Sequence, residues 1–355
     1  MAPPKAVPSP KAVDGPLLGN GDVGVVLAVD PARARGSRLV LAYYISKNDF
    51  WMFNNDDVGP RNSRGPAWWP NCSQHPTACG GPIKEPTRQR PFSAGSFILG
   101  AGGVNLTFPT STKLLRLTQR IDVGTISALV AVRGVNYTVI SWLSQLNSTK
   151  ITPTIMTTYL CAGDDENCVP SSGTTSSSAR TESISLDVAT WTFDQIGGHD
   201  NQSGVAWATR QATGNARPVA IAFATATVGR PSAGGVKLLG AGGGIVTAVT
   251  SSIDQDTNNT MDVRRASVQA AAQAADVGEL LSGRTDTAAW FERFWNASTI
   301  ALPSEPLFEE YWFKSLYMLA ACSRGGRVAP GLWGSWLTTD TPLWHGGTLS
   351  ACLSL

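Results

Sequence analysis

Lys113-Leu114-Leu115-Arg116-Leu117-Thr118-Gln119-Arg120-Ile121-Asp122 is the stretch that decides the fold class of this chain. Apolar and polar side chains alternate along it, which is the pattern of a β-strand with one face against a core. One face would carry Leu115, Leu117, Gln119 and Ile121, and the other Arg116, Thr118 and Arg120. The stretch therefore predicts a half-buried β-strand.

Similar short runs, separated by turn residues, occur over most of the chain before Met261. We predict further strands at residues 25–29, 39–45, 96–99, 104–108, 125–133, 137–144, 183–188, 204–210, 219–224 and 245–251. Closely spaced strands favour antiparallel pairing, because a hairpin connection needs only a few residues. The sequence therefore predicts a mainly β protein built on a large antiparallel β-sandwich, a supersandwich in size.

The spacing of the apolar residues changes after Met261. Residues 266–275 are rich in Ala and Gln and predict a helix, and residues 286–296 predict a second, with its aromatic residues on one face. A third helix should follow an N-cap at Ser304, with Pro306 in its first turn, and end at Gly325-Gly326. Its apolar stripe is broad, so we expect part of that stripe to lack a packing partner. The stripe consists of Leu307, Phe308, Tyr311, Trp312, Leu316, Leu319 and Ala320, with Ser315 among them.

Composition excludes several classes of function. Charged residues make up 15% of the 355 residues, and the formal net charge is +2. Because Lys and Arg form no run or stripe, we expect no nucleic-acid partner. No apolar run is long enough to cross a bilayer, so no membrane span is expected. No cofactor and no metal site is predicted, and the oligomeric state is left open.

Gly19-Asn20-Gly21-Asp22-Val23-Gly24 has the spacing of a dinucleotide-binding glycine motif. That motif requires a strand before it and a helix after it. Here a Pro-rich segment precedes the glycines and a strand-like apolar run follows them. We therefore interpret the motif as a tight turn that leads into a buried strand.

Potential glycosylation sites and cysteines indicate the compartment. Seven Asn-x-Ser/Thr sequences are present, a density typical of a glycoprotein of the secretory pathway. These candidate sites are Asn71, Asn105, Asn136, Asn147, Asn201, Asn258 and Asn296. The first ten residues do not contain the apolar segment of a signal peptide, and the true N-terminus is left open. We expect an extracellular or secretory-pathway protein.

Four of the six cysteines form two closely spaced pairs. Cys72 and Cys79 lie in one loop rich in Gly, Pro and Asn, and Cys161 and Cys168 lie in another. Each pair could close a small disulfide, as is common in secreted proteins. A zinc site is the alternative, but no Cys-x-x-Cys sequence or nearby Cys/His quartet supports it.

The region near the C-terminus is dense in tryptophan. Trp333, Trp336, Trp344 and His345 fall within about a dozen residues that also contain Gly and Pro, which break helices and strands. Flat aromatic faces beside a few polar groups are a common way to hold a sugar ring. The alternative is a structural loop whose tryptophans only fill a core.

Together, these segments resemble glycoside hydrolase family 95 and its relatives with a six-hairpin (α/α)6 barrel. The resemblance rests on the Leu18–Gly24 turn, on Asn48-Asp49 with Trp51 after a strand, and on residues 329–336 and 344–346. It covers nearly the whole chain. It implies a carbohydrate (an oligosaccharide or glycan) as partner, with Asn48, Asp49, Trp51, Trp333, Trp344 and His345 as parts of a sugar-contacting rim.

The resemblance also implies a domain organisation. Residues 1–11 would be a disordered lead-in, 12–262 an N-terminal sandwich, 263–303 a helical linker, and 304–355 the truncated start of the barrel. The sequence departs from the family after Gly346, where a frame change or truncated gene model is one interpretation. Three hypotheses remain: a glycoside hydrolase whose catalytic residues are missing here, a non-catalytic carbohydrate-binding module, and a structural or mis-annotated fragment.

No catalytic residue is assigned from the sequence. Glycoside hydrolysis needs an acid and a second carboxylate facing one pocket, and the family's pair would lie on later barrel helices. Asp49, Glu309, Glu310 and Asp340 are the carboxylates closest to aromatic residues. Glu309 and Glu310 fall in the first turns of the third predicted helix, where acidic side chains complement the helix dipole.

Overall fold

A computed structural model describes residues 15–29, 38–53, 96–98, 100–145, 153–164, 185–193, 197–200, 204–212, 219–228, 236–239, 243–325, 327–328, 330 and 334–338. Side chains are not described for 51–53, 96–98, 185, 199–200 and 236–239. In chain order, the strands are β1 Leu17–Gly19, β2 Val23–Val29, β3 Arg38–Lys47, β4 Trp51–Phe53, β5 Ser96–Ile98, β6 Gly102–Thr110, β7 Lys113–Arg120, β8 Thr125–Val132, β9 Val135–Leu143, β10 Thr154–Ala162, β11 Ser185–Thr192, β12 Gly197–Asp200, β13 Val205–Gln211, β14 Ala220–Thr227, β15 Val236–Leu239 and β16 Gly243–Ser251.

These strands form two large antiparallel sheets and one small one. The six-stranded sheet has the order β1-β2-β3-β6-β11-β15, and the eight-stranded sheet has the order β12-β13-β14-β16-β10-β9-β8-β7. β4 and β5 pair with each other. The predicted β-sandwich, followed by helices, is confirmed. β1, β4, β10, β12 and β15 are strands that were not predicted from the sequence.

The core lies between the two large sheets, where each contributes the inward side of its strands. Val25, Tyr43 and Leu106 come from the first sheet, and Val139 and Phe223 from the second, all fully buried. Polar bonds also cross this core, since the hydroxyl groups of Tyr43 and Ser141 lie 2.8 Å apart. Burial raises the pKa of Tyr43 to about 12, so its phenol stays a neutral hydrogen-bonding group.

One detail of the strand prediction is wrong. Leu115 was expected on the same face of β7 as Leu117, but the pairing with β8 shifts between Leu114 and Arg116. This bulge turns Leu115 outward, where it is exposed, and packs Leu114 and Leu117 against the core. An inserted residue reverses the alternation, and periodicity alone does not show it.

Helix α1, Thr260–Ala274, covers the outer face of the eight-stranded sheet. Its N-cap is Asn259, whose Oδ1 accepts a 2.9 Å bond from the N–H of Met261. Small buried residues, Ser267 and Ala271 among them, let the helix lie close to the sheet. The helix predicted from residue 266 therefore begins six residues earlier, at its cap.

Helix α2, Val277–Ala297, starts at an Asp276 cap that accepts bonds from the N–H groups of Gly278 and Glu279. The sequence reading identified only its second half, because Gly278 and Gly283 lower helix propensity in the first. Phe291 is buried, and it packs against Tyr317 of the third helix with ring centroids 5.7 Å apart.

Helix α3, Pro306–Cys322, is capped differently from the prediction. Glu305, not Ser304, is the N-cap residue, and it makes no side-chain capping bond. The helix ends at Cys322, before the Gly pair that was expected to end it, and the Ser323 N–H still bonds the Leu319 carbonyl at 3.0 Å. Tyr317, Ala320 and Ala321 are its buried residues near the sandwich.

The other face of α3 is unusually apolar for a surface. Six large side chains there are between 40% and 62% exposed, and we name them the α3 stripe: Leu307, Phe308, Tyr311, Trp312, Met318 and Leu319. Within the described residues, Leu307, Phe308, Tyr311, Trp312 and Leu319 of the expected stripe are exposed, whereas Leu316 is half-buried and Ala320 is buried. Single exposed apolar residues are common, but a contiguous set indicates an interaction surface. None of the helices in the described ranges is both long and apolar enough to cross a membrane.

Candidate functional site

Four segments that are distant in sequence meet at one end of the sandwich. They are the β1–β2 turn (19–24), the end of β3 (46–49), the end of α3 (320–324) and residues 334–338, and we call their meeting point the junction. Asn20 shapes the turn, because its Oδ1 accepts bonds from the N–H groups of Asp22 and Val23 at 3.2 and 2.9 Å. Its Nδ2 donates to the Ser144 carbonyl and to Thr154 Oγ1, which fixes the turn to the second sheet.

The three glycines of the turn are places of close backbone approach. A Cβ on Gly19 would overlap the carbonyl of Ala321, and one on Gly21 would overlap the Arg324 side chain. A Cβ on Gly24 would overlap the carbonyl of Ser335. Gly21 also has φ +86°, in the left-handed region that favours glycine. The interpretation as a tight turn before a buried strand is confirmed, and the glycine spacing additionally makes room for α3 and residues 334–338.

Asn48, at the end of β3, bonds each of the other three segments. Its Nδ2 donates to the carbonyls of Gly21 and Cys322 at 3.1 and 2.9 Å. Its Oδ1 accepts a 2.6 Å bond from the hydroxyl of Ser335. The side chain is fully buried, so each of these bonds satisfies a group that has lost contact with water.

Trp336 closes the junction from the other side. Its indole N–H donates a 2.8 Å bond to the carbonyl of Leu18, and its ring packs in a cluster with Val26, Tyr317 and Ala321. Ser46 adds a further link, because its hydroxyl donates to the Leu337 carbonyl at 3.3 Å. Residues 334–338 are thereby held against both the first sheet and α3.

A buried charge cluster lies next to Asn48. The Lys47 ammonium is 1% exposed and contacts Asp22, Asp49 and Asp254 at 2.8, 2.7 and 3.3 Å. Ser251 Oγ donates a 2.6 Å bond to Asp49 Oδ2, while Asp49 Oδ1 is buried without a hydrogen-bond partner. Three carboxylates around one ammonium give the cluster an excess of negative charge when all are ionised.

The environment shifts the pKa values of two groups in this cluster. Burial alone would lower the pKa of Lys47, but Asp49, Asp254 and Asp22 together raise it above its usual range. Burial raises the pKa of Asp254, and the neighbouring carboxylates raise it further while Lys47 opposes the change. The ammonium therefore stays charged, and Asp254 takes up a proton at a higher pH than an ordinary aspartate does.

Arg324 completes the junction beside the glycine turn. It donates to the Ala320 carbonyl at 2.8 Å and to Gln145 Oε1 at 3.0 Å, and its guanidinium lies 3.4 Å from the centre of the Trp290 ring. Burial lowers the pKa of Arg324 to about 9. Among the described residues no carboxylate pairs with it.

The six predicted sugar-contacting residues have different outcomes. Asn48 and Asp49 lie together in the junction at 0% and 3% exposure, where they bond to other protein groups. Trp51 begins β4, and its side chain is not described. Trp333, Trp344 and His345 lie outside the described residues. A direct contact with sugar thus stays a prediction for all six.

Lys47, Asp22, Ser335 and Trp336 are site residues that were not among the predicted ones, although the last three lie in segments that the sequence had singled out. Lys47 is the one with a usable signal, because a lysine between a buried strand and Asn-Asp is rarely buried unless it is paired. Glu309 and Glu310 have structural contacts, as their position in the helix suggested. Glu309 Oε2 accepts a 2.6 Å bond from the Leu302 N–H, and Glu310 pairs with Lys314.

The structure describes some of the cysteines and some of the candidate glycosylation sites that were predicted from the sequence. Cys161 is disulfide-bonded. Its partner lies outside the described residues, so pairing with Cys168 and pairing of Cys72 with Cys79 stay predictions. Asn136, Asn258 and Asn296 are exposed, while Asn71, Asn147 and Asn201 are outside the described residues. Asn105 lies within β6, where its Oδ1 accepts a 3.0 Å bond from the Trp191 indole.

A shallow groove of about 600 Å³ runs along α2, and none of the predicted sugar-contacting residues is among its lining residues. Ala288 and Ala289 line it together with Asp122, Arg284 and Glu292. Within the described ranges, no group of three or more His, Cys, Asp or Glu side chains is arranged to hold a metal ion.

The fold and the junction define the class of this protein as a two-sheet antiparallel sandwich whose C-terminal helices are fixed to the β1–β2 turn. No protein-family model matches the sequence, and no curated protein matches it. One similar solved structure is a protein assigned as a kojibiose phosphorylase from human microbiome, with a TM-score of 0.48 and 7% identity. The match covers 86% of this chain and 36% of that one, so this chain spans about a third of the other's length. The similarity to family 95 in particular stays a prediction.

Proposed function

We propose that this protein acts on or binds carbohydrate as a chain of the glycoside hydrolase type. The supporting observation is that the junction joins parts of three of the four segments on which the sequence resemblance rests. Asn48, from the second segment, bonds Gly21 of the first and Ser335 of the third. Side chains separated by up to 287 positions meet in one buried network, which is the rigid support that a binding loop needs.

The sugar contacts are proposed for the aromatic residues around that support. Residues 334–338 are anchored by Trp336, and the sequence continues to Trp344 and His345, which we propose as sugar-contacting residues with Trp51 and Trp333. Asn48 and Asp49 lie in the buried junction that supports this rim. An aromatic face stacks on the apolar face of a sugar ring, and a neighbouring histidine supplies a hydrogen bond.

A glycan array with the purified chain tests the binding proposal. We expect binding to a defined set of oligosaccharides, with at least a tenfold loss for Trp344→Ala and for His345→Ala. Trp207→Ala is the matched control for tryptophan, because that ring lies under Arg264 outside the junction. Absence of binding by the folded wild-type chain would end the proposal, as would equal losses for Trp207→Ala and Trp344→Ala.

A non-catalytic module is the second candidate, and the contacts of two glutamates favour it. Glu309 and Glu310 both bond to protein groups at the start of α3, which leaves no free acid pair there. Incubating the chain with oligosaccharides that bind on the array, with and without inorganic phosphate, detects both hydrolysis and phosphorolysis of the glycosidic bond. Binding without turnover supports the module, and turnover supports the enzyme.

The cellular location of the protein is proposed from its disulfide-bonded cysteine and its candidate glycosylation sites. A disulfide at Cys161 and exposed Asn136, Asn258 and Asn296 are compatible with folding in the secretory pathway. We propose an extracellular or secretory-pathway protein. Expression with a secretory leader, followed by mass measurement before and after glycan removal, tests this.

A further inference from the structure

The groove along α2 is a surface feature that the proposed function does not use, and we call it the α2 groove. One face of α2 forms one wall, and the β7–β8 turn (121–124) forms the other. The indole N–H of Trp295 donates a 3.0 Å bond to the Ile121 carbonyl of that turn. Gly124 lies so close to the Phe291 ring that a Cβ there would overlap it. Contacts at two points thus fix the two walls of the groove relative to each other.

The lining of the α2 groove combines apolar and polar side chains. Ala288 and Ala289 are small and leave space along the helix, and Trp295 adds a half-buried aromatic ring. Arg284 and Glu292 supply hydrogen-bonding groups. An apolar surface with a few polar groups is typical of ligand pockets, and about 600 Å³ is within their usual size. Such a surface suits a sugar, which has an apolar ring face and polar hydroxyl groups.

A candidate glycosylation site lies in the groove itself. Asn296 is one of the lining residues, its side chain is exposed, and it begins the sequence Asn296-Ala297-Ser298. The other described candidate sites, Asn105, Asn136 and Asn258, are not among the lining residues. The α2 groove is therefore next to a point where a sugar chain could be attached.

Helix geometry determines the direction that a glycan on Asn296 would take. In an α-helix each Cα–Cβ bond tilts toward the N-terminus, so a side chain covers the turn before its own Cα. Asn296 is the second-last residue of α2, and the turn before it contains Glu292. From there the groove continues to Ala289 and Ala288. A glycan on the Asn296 amide is thus directed along the groove and not beyond the end of the helix.

We propose that an N-linked glycan on Asn296 is seated in the α2 groove, with its first sugar units over the turn that contains Glu292 and Ala289. The bond that forms joins Asn296 Nδ2 to the anomeric carbon of the first sugar. The nitrogen loses one proton, and the diphosphate of a lipid-linked sugar donor leaves. The proposal rests on the secretory-pathway location proposed above, because that pathway supplies the donor.

The seated glycan is held by contacts in addition to its covalent bond. The ring of Trp295 and the methyl group of Ala289 meet the apolar face of a sugar ring. Glu292 accepts a hydrogen bond from a hydroxyl or an N-acetyl N–H group of the sugar. An enzyme that removes the glycan has to wait until these contacts open.

The test uses the 355-residue chain secreted from a eukaryotic host, with peptide N-glycosidase as the probe. This enzyme cleaves the bond between the asparagine and the first sugar. We expect release from Asn296 in the native protein to be at least tenfold slower than from Asn136 and Asn258, which are exposed and do not line the groove. In the denatured protein the three rates should agree. Peptide mapping after digestion in heavy-oxygen water measures release at each site.

Two variants distinguish seating in the groove from slow release caused by the helix itself. Ala289→Arg fills the groove and should raise the native release rate at Asn296 to that of Asn136. Glu292→Ala removes one hydrogen-bond partner at an exposed position and should raise the rate about three- to tenfold. Ser282→Arg is the matched control and should leave the rate unchanged, because Ser282 is exposed on α2 and is not a lining residue. Circular dichroism checks the folding of each variant.

The possible results separate this proposal from the proposed location. Equal native release rates at the three sites overturn the seated glycan. A slow rate at Asn296 that Ala289→Arg leaves unchanged also overturns it, and Glu292→Ala decides the question if the arginine variant does not fold. Glycans on Asn136 and Asn258 with none on Asn296 overturn the seated glycan and leave the location intact. If none of the candidate asparagines carries a glycan, both proposals are wrong.

Discussion

The hydroxyl of Ser335 donates a 2.6 Å hydrogen bond to Oδ1 of Asn48, although the two residues are 287 positions apart. The same amide of Asn48 donates to backbone carbonyls of the β1–β2 turn and of the end of α3. One buried side chain therefore connects the start of the sandwich with the last described residues of the chain.

We expect Asn48→Ala to destabilise the protein by about 2 to 4 kcal/mol, because it leaves several buried groups without partners. Urea unfolding, followed by the free energy of unfolding, measures this. Asn136→Ala is the matched control, since Asn136 is exposed on β9. Equal stability of the two variants would mean that the network does not hold the junction together.

Gly24→Ala should cost about 2 to 3 kcal/mol and release residues 334–338, because the new Cβ would overlap the carbonyl of Ser335. Gly325→Ala serves as the control, because a Cβ there meets nothing within 4 Å. Limited trypsin digestion should cleave after Arg327 faster in Gly24→Ala than in the wild type. The same cleavage rate in all three proteins would contradict the close-approach explanation.

Lys47→Met should destabilise the protein by about 3 to 5 kcal/mol at neutral pH, because three buried carboxylates lose their counter-ion. The loss should shrink as the pH falls, since protonation removes the uncompensated charge. Unfolding free energies at several pH values test both statements. The Lys47 pKa is raised, so in the wild type the stabilisation from the ammonium is present at neutral pH and is lost only in strongly alkaline solution.

The pH dependence of stability should also report on Asp254. Its pKa is raised, so the folded state holds this proton more tightly than the unfolded state, and the ionised group lowers stability as the pH rises through that raised pKa. We expect Asp254→Asn to reduce the fall in stability between acid and neutral pH. Asp256→Asn, in the same turn but exposed, should keep the wild-type slope.

Glycan occupancy should differ among the candidate asparagines. In a secretory expression host we expect Asn136→Gln, Asn258→Gln and Asn296→Gln each to remove one glycan mass. Asn105→Gln should leave the mass unchanged, because Asn105 is inside a central strand and its amide bonds Trp191. Peptide mapping by mass spectrometry distinguishes these cases, and a glycan found on Asn105 would show that modification precedes the pairing of β6.

The sandwich was predictable because its signals are local. Alternation and turn residues identified most of the strands, including β8 and β9, whose two-residue connection Arg133-Gly134 has positive φ at both positions. β1, β4, β12 and β15 were missed because strands of three or four residues have little periodicity of their own. β10 has nine residues but is buried along nearly its whole length, so it shows no alternation of apolar and polar side chains. The bulge in β7 was missed because it depends on the pairing with β8 and not on composition.

The junction was only partly predictable, because its bonds connect residues far apart in the sequence. The glycine turn and Asn48 stood out as unusual local sequences. Both contact the end of α3, and neither sequence shows where that helix ends. No residue near Lys47 in the sequence indicates that Asp254, more than two hundred positions later, contacts its ammonium. The segments of the junction are therefore visible in the sequence, whereas their contacts are visible only in the three-dimensional structure.

The position of Trp336 has a consequence for synthesis on the ribosome. Its indole bonds Leu18, so the first hairpin of the sandwich receives its last partner only after more than three hundred further residues have been translated. Until then the carbonyl groups and glycine surfaces of the β1–β2 turn stay open to water and to other chains. Purified chains that end before residue 334 should therefore be less resistant to protease near the N-terminus than the 355-residue chain. The time before Trp336 reaches Leu18 is when the new protein is most open to mispairing.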